Sequence, residues 1–164
     1  MAGIVFIVTR PERASLASIG LRPLDYRSVG IGLVGVAILI PTSELVLIAF
    51  DSDIGYSDKG FNSFPIWLQI FALVTAGITE EWLFRGYAIT RLTGLTGSRA
   101  LAAAISIIAF TVGHAPFTGF GSFLDILFFS IACTLAFLWT RDLLPGVVMH
   151  VTYNLYAQYG PDIF

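Results

Sequence analysis

Six residues of this sequence form a set able to hydrolyse an acyl bond. They are Glu80, Glu81 and Arg85 in the run TEEWLFRGY, His114 at the end of FTVGH, and His150 with Asn154 in HVTYN. Glu81 and Arg85 are four residues apart, so on a helix they share a face and pair. Glu80 lies five residues from Arg85, about 140° round an α-helix, and points elsewhere. Arg85 therefore neutralises and orients Glu81 and leaves Glu80 for other work. His150 and Asn154, again four apart, project together. A carboxylate beside a neutral imidazole holds a water and removes its proton as the oxygen attacks a carbonyl. A second imidazole and an amide donate hydrogen bonds to the oxyanion that forms. Glu80, His114 and His150 are also candidate ligands for a divalent metal, zinc first. No HExxH motif places two ligands and a base on one helix, so metal-assisted and metal-free activation of water are both open.

The elements that position these groups are legible from composition. Of the 164 residues, 56% are hydrophobic and 12% charged, with a mean hydropathy of +0.82. A soluble domain carries about 25% charged residues, so this chain lacks the charge to coat a water-facing surface. High hydrophobicity excludes intrinsic disorder. Nine Lys and Arg against eleven Asp and Glu leave a net charge of −2, with no basic footprint for nucleic acid. The single Cys133 excludes an intrachain disulfide and a cysteine-based zinc motif. An integral membrane protein remains, with membrane lipids as its first partners.

A bilayer core about 30 Å thick needs roughly 20 apolar residues as helix. Five runs qualify as candidates: 29–50, 66–90, 100–114, 123–139 and 144–159. They are continuously apolar rather than alternating, which predicts an all-α polytopic bundle of about five spans and not a barrel. Residues 1–8 are too short to cross and lack a basic n-region; they read as the tail of a helix or an interfacial anchor. Arg10, Arg13, Arg22 and Arg27 precede the first span, Lys59 alone follows it, Arg91 and Arg99 flank the next turn, and Arg141 follows the fourth span. That alternation predicts a multi-pass cell-membrane protein with a cytoplasmic N-terminal arm and an outside C-terminus. The acids Asp51, Asp53 and Asp58 then face outward. Glu44 and Asp125 are expected to snorkel at the outer edge.

An ionisable group at mid-bilayer costs about 2.5–3.5 kcal/mol, so such groups face the bundle interior and serve a purpose. At about 1.5 Å per residue, Glu80 lies roughly 16 Å from Arg91, His114 roughly 22 Å from Arg99, and His150 about 8 Å from Pro145. These depths overlap near the membrane middle once span boundaries are allowed to vary. The carboxylate, imidazoles and amide are thus expected to converge on one wet cavity.

The motifs EExxxR, FxxxH and HxxxN, carried here by Glu80, Glu81 and Arg85, by Phe110 and His114, and by His150 and Asn154, resemble the CAAX-protease and bacteriocin-processing family of intramembrane endopeptidases. The resemblance covers 66–159. It implies that Glu80 activates the attacking water with help from His114. It also implies that His150 and Asn154 stabilise the oxyanion, that Glu81 and Arg85 hold the geometry, and that Phe110 packs beside His114. The family is generally called metalloproteases, which keeps zinc as the first cofactor candidate. The implied substrate is a peptide or protein, prenylated or bacteriocin-like. Members usually carry extra helices before the core. Here an N-terminal arm and first transmembrane helix (1–65) precede the catalytic core (66–160). A proton-coupled transporter and a non-catalytic scaffold or immunity protein are the rival readings. Repeated broken helices would mark the transporter, and the sequence has no such internal symmetry.

Overall fold

The apolar runs fold as helices from end to end. The computed structural model describes residues 2–10, 12, 15–52, 59–114 and 119–160, and among them there is no strand. Helix α1 (Ala2–Thr9) and a short 3-10 turn (Leu16–Ile19) form the arm. Helix α2 (Tyr26–Ala49) follows, started by Asp25, whose side chain accepts from the Arg27 backbone N–H. After α3 (Lys59–Asn62), one helical run passes through α4 (Ile66–Glu80), a π-helical segment (Glu81–Ile89) and α5 (Thr90–Thr96). Helices α6 (Arg99–His114), α7 (Phe120–Thr140) and α8 (Leu144–Tyr159) complete the bundle. Asp53 and Asp58, expected to face outward, lie outside the described residues.

Polarity in this bundle is inverted relative to a soluble protein. Its outer faces carry exposed Leu33, Val34, Ile38, Leu45 and Ile48 on α2, Trp67 and Phe71 on α4, Ile108 and Val112 on α6, and Leu135 and Trp139 on α7. Its interior buries Glu81, Arg85, Ser106, Thr111, Asp125, Ser130, Thr134 and His150. Apolar surface this continuous needs a lipid or protein cover, and the enclosed polar groups need partners. By length and hydropathy, α2 and α7 are each sufficient to cross a membrane. Helices α6 and α8 have 16 residues each, roughly 24 Å at 1.5 Å per residue, short of a full hydrocarbon core.

Helix α8 occupies the centre, packed on α2, α4, α7 and the π segment. Two apolar clusters clamp it. Leu39, Phe110, Phe129, Cys133, Ala136 and Met149 form one; Ile89, Ala102, Phe137 and Leu143 form the other. Its start is set deep in the bundle. The Leu143 N–H donates to the Gly20 carbonyl at 2.9 Å, and the Leu143 side chain packs against Ile89. That depth explains how His150, only six residues beyond Leu144, reaches groups much further along α4 and α6.

The arm closes over the π segment because Gly86 lacks a side chain: a Cβ there would lie 2.6 Å from the Ile19 carbonyl oxygen. Glu12 ties the arm down, accepting from Arg91 Nε at 2.9 Å and from the Tyr87 hydroxyl at 3.2 Å. The Arg91 hydrogen bond is the main reason the Glu12 carboxyl titrates below its usual range. A depressed folded-state pKa gives a tether fully formed above the ordinary carboxylate pKa and lost as pH falls through the lowered value. Limited proteolysis in micelles should therefore nick the arm near Arg10 faster in acid than at neutral pH. In Glu12→Gln this acid dependence should disappear.

Candidate active site

Nine residues, Glu81 to Ile89, take π-helical geometry in the middle of the 66–96 run. Such segments are rare and commonly mark functional sites. Their wider i→i+5 winding changes where successive side chains point. Glu80, the last residue of α4, and Glu81, the first of the π segment, consequently both reach the same imidazole. His150 Nδ1 lies 2.9 Å from Glu81 Oε1, and its Nε2 lies 3.7 Å from Glu80 Oε2.

The sealed half of the site is built around Glu81. Its Oε1 accepts from Arg85 Nη1 at 2.8 Å, and neither side chain has any exposed surface. Arg85 is held on two further sides. Its Nη2 donates to the Ser130 hydroxyl at 3.0 Å and its guanidinium carbon lies 4.3 Å from the Phe110 ring centre. Helix α8 approaches so closely here that a Cβ on Gly146 would fall 2.6 Å from Glu81 Oε2. Gly146→Ala should therefore push the carboxylate off His150. Overpacking of this kind costs about 1–3 kcal/mol. A parallel loss of activity and melting temperature in micelles is the expected result.

The open half comprises Glu80 and His114, with side chains 29% and 28% exposed. Glu80 Oε2 has no hydrogen-bond partner among the described residues. It lies 3.6 Å from His114 Nε2 as well as 3.7 Å from His150 Nε2. Both gaps exceed a hydrogen bond, and Glu80 Oε2 itself is buried. His114 Nδ1 lies 2.8 Å from the Phe110 carbonyl oxygen, which can only accept. Nδ1 therefore carries a proton, and Nε2 faces Glu80.

Five of the six sequence-identified residues meet within this cluster. The hydrogen bond of Asn154 goes outside it: its Nδ2 donates to the Leu73 carbonyl at 3.3 Å, tying α8 to α4 one turn beyond His150. Phe110 stacks on His114 at 4.5 Å between ring centres, as the family resemblance implied. One group departs from expectation: Asp125 is buried as the acceptor of the Tyr153 hydroxyl. Glu44, half-buried, accepts from the Tyr156 hydroxyl at 2.7 Å. Sequence spacing alone did not pair either acid with a tyrosine of α8. Tyr153 also stacks on Phe129, whose ring lies 4.8 Å from His150. The π segment, Ser130 and Gly146 were likewise missed. None has a local sequence signal, although charges in an apolar span do flag the region.

A zinc site needs three protein ligands with bonds near 2.0–2.2 Å. Among the described residues no three His, Cys, Asp or Glu side chains are grouped to hold a metal ion. The arrangement of the described side chains is not that of a zinc cluster.

A family model described as "Type II CAAX prenyl endopeptidase Rce1-like" matches residues 62–156. No curated protein matches the chain, and no solved structure does.

Proposed function

The chain belongs to the Rce1-like family of type II CAAX prenyl endopeptidases, and from that premise we propose that it is an intramembrane endopeptidase whose Glu80 activates water. The supporting observation is Glu80 Oε2, buried and unpartnered on a side chain that is itself 29% exposed, and 3.6 and 3.7 Å from two imidazole nitrogens. A water donates one hydrogen to Glu80 and the other to His114 Nε2, which leaves its lone pair for the substrate carbonyl carbon. As the C–O bond forms, Glu80 takes the proton and the carbonyl oxygen becomes an oxyanion. His150 acts as an imidazolium, its Nδ1–H donating to Glu81 and its Nε2–H stabilising that charge. Asn154 spends one amide hydrogen on Leu73 and offers its second to the oxyanion. Collapse breaks the C–N bond, Glu80 returns the first proton to the leaving amine, and the hydroxyl proton passes through His114 Nε2 to the amine or solvent as the new carboxylate departs. Glu81 and Arg85 set the orientation and charge of His150.

In this reading the substrate is a membrane-anchored peptide or protein, prenylated in the family's manner, and activation of water needs no metal. The helical run 66–96, α6 and α8 cross the bilayer beside α2 and α7, with the arm on the cytoplasmic side. Proteoliposomes given a fluorogenic prenylated peptide test the reading. Cleavage without proton leak, surviving exhaustive chelation, is expected. Proton flux without cleavage would make the chain a transporter, and activity restored by a single ion would establish a metal cofactor.

A further inference from the structure

A cavity of about 410 Å³ lies between the segment before α2 and the turn joining α7 to α8, bordered by Arg22, Arg27, Ser28, Trp139 and Asp142. It is separate from the active site. Its two acids are already engaged: Asp25 Oδ1 accepts from the Arg27 backbone N–H at 3.1 Å. Asp142 accepts from the Ser28 hydroxyl at 2.6 Å and the Leu144 N–H at 3.1 Å. Neither acid makes an ion pair with Arg22 or Arg27, and both guanidiniums are without an ionic partner among the described residues. Arg99 and Arg141 add cationic charge at the same end of the bundle, close enough that Arg99 helps to push the Arg141 pKa down, after burial. Around this cavity Leu24, Tyr26 and Trp139 are 68%, 84% and 71% exposed. Exposed aromatic and aliphatic side chains beside unpaired arginines are the arrangement of a membrane interface, with rings at headgroup level and cations facing phosphate.

We infer that this cavity is a binding site for an anionic phospholipid headgroup, with Arg22 and Arg27 on the phosphate and Trp139 against the glycerol and upper acyl chain. Asp25 and Asp142 balance Arg22 and Arg27 in the lining, and Arg99 with Arg141 gives this end of the bundle the excess positive charge that selects an anionic occupant. Two unpaired guanidiniums match a phosphodiester, and the lipid-facing apolar rim matches the rest of the molecule. A headgroup seated there joins the start of α2 to the turn that starts α8, where Asp142 caps the helix bearing His150. The inference rests on the membrane reading of the bundle and not on peptide hydrolysis.

The purified full chain, titrated in neutral detergent with short-chain phosphatidylglycerol or phosphatidylcholine and followed by native mass spectrometry, tests it. At about 1 kcal/mol per arginine near an anionic surface, two contacts predict a preference for phosphatidylglycerol of roughly 30-fold. Arg22→Gln/Arg27→Gln should abolish the preference without lowering the melting temperature, since both side chains are exposed. High salt should weaken it in the wild type. Equal binding of the two lipids, or a preference retained in the double variant, would overturn the site. Displacement of the lipid by millimolar inorganic phosphate alone would assign the arginines to a free anion and overturn the lipid assignment.

Discussion

Glu80→Gln is expected to reduce the turnover number for peptide cleavage by about 10²–10⁴, the contribution of a positioned general base. The fold should be unaffected. Glu80 is partly exposed and its Oε2 makes no hydrogen bond among the described residues. Glutamine keeps the shape and loses only the ability to take a proton. KM should change little, because the bound peptide meets a side chain of the same size. Steady-state kinetics in micelles, with the melting curve of the same preparation, separates this outcome from misfolding. A fall of less than tenfold in a folded variant would remove Glu80 from the role of base.

Arg85→Met has the largest expected effect on stability. It strands the fully buried Glu81 carboxylate and also forfeits the Ser130 hydrogen bond and the contact with Phe110. Breaking a buried ion pair by removing one partner costs about 3–5 kcal/mol. Equilibrium unfolding in mixed micelles should show a loss of that size. Glu81→Gln/Arg85→Met should recover part of the stability, because no unpaired charge remains. Activity should stay low in the double variant, since His150 loses the carboxylate that orients it. A single variant as stable as the wild type would mean that the pair is dispensable to the fold.

Much of the site was legible because charge in an apolar helix is expensive and therefore conspicuous. Glu80, Glu81, Arg85 and the two histidines stand out on that ground alone, and the i,i+4 spacing predicts the observed Glu81–Arg85 contact. The angle between Glu80 and Glu81 was not legible. It depends on a π-helical segment whose residues, EWLFRGYAI, carry no distinctive signal. Rise per residue, with span boundaries allowed to vary, did anticipate that His150 meets Glu80. Asp125 shows the converse: sequence position placed it at an edge, whereas Tyr153 satisfies it in the buried interior. Segment length was the weaker guide to crossing: α2 and α7 meet the requirement for a span, while α6 and α8 are 16 residues each.

The central claim is that Glu80 and His114 act on one water as a unit. A kinetic double-mutant cycle for cleavage of a prenylated peptide, using Glu80→Gln, His114→Ala and their combination, tests it most directly. Groups that act together are strongly non-additive, so the double variant should be about as slow as the worse single variant. Losses that multiply, or a wild-type protein that cuts no such peptide, would contradict the account.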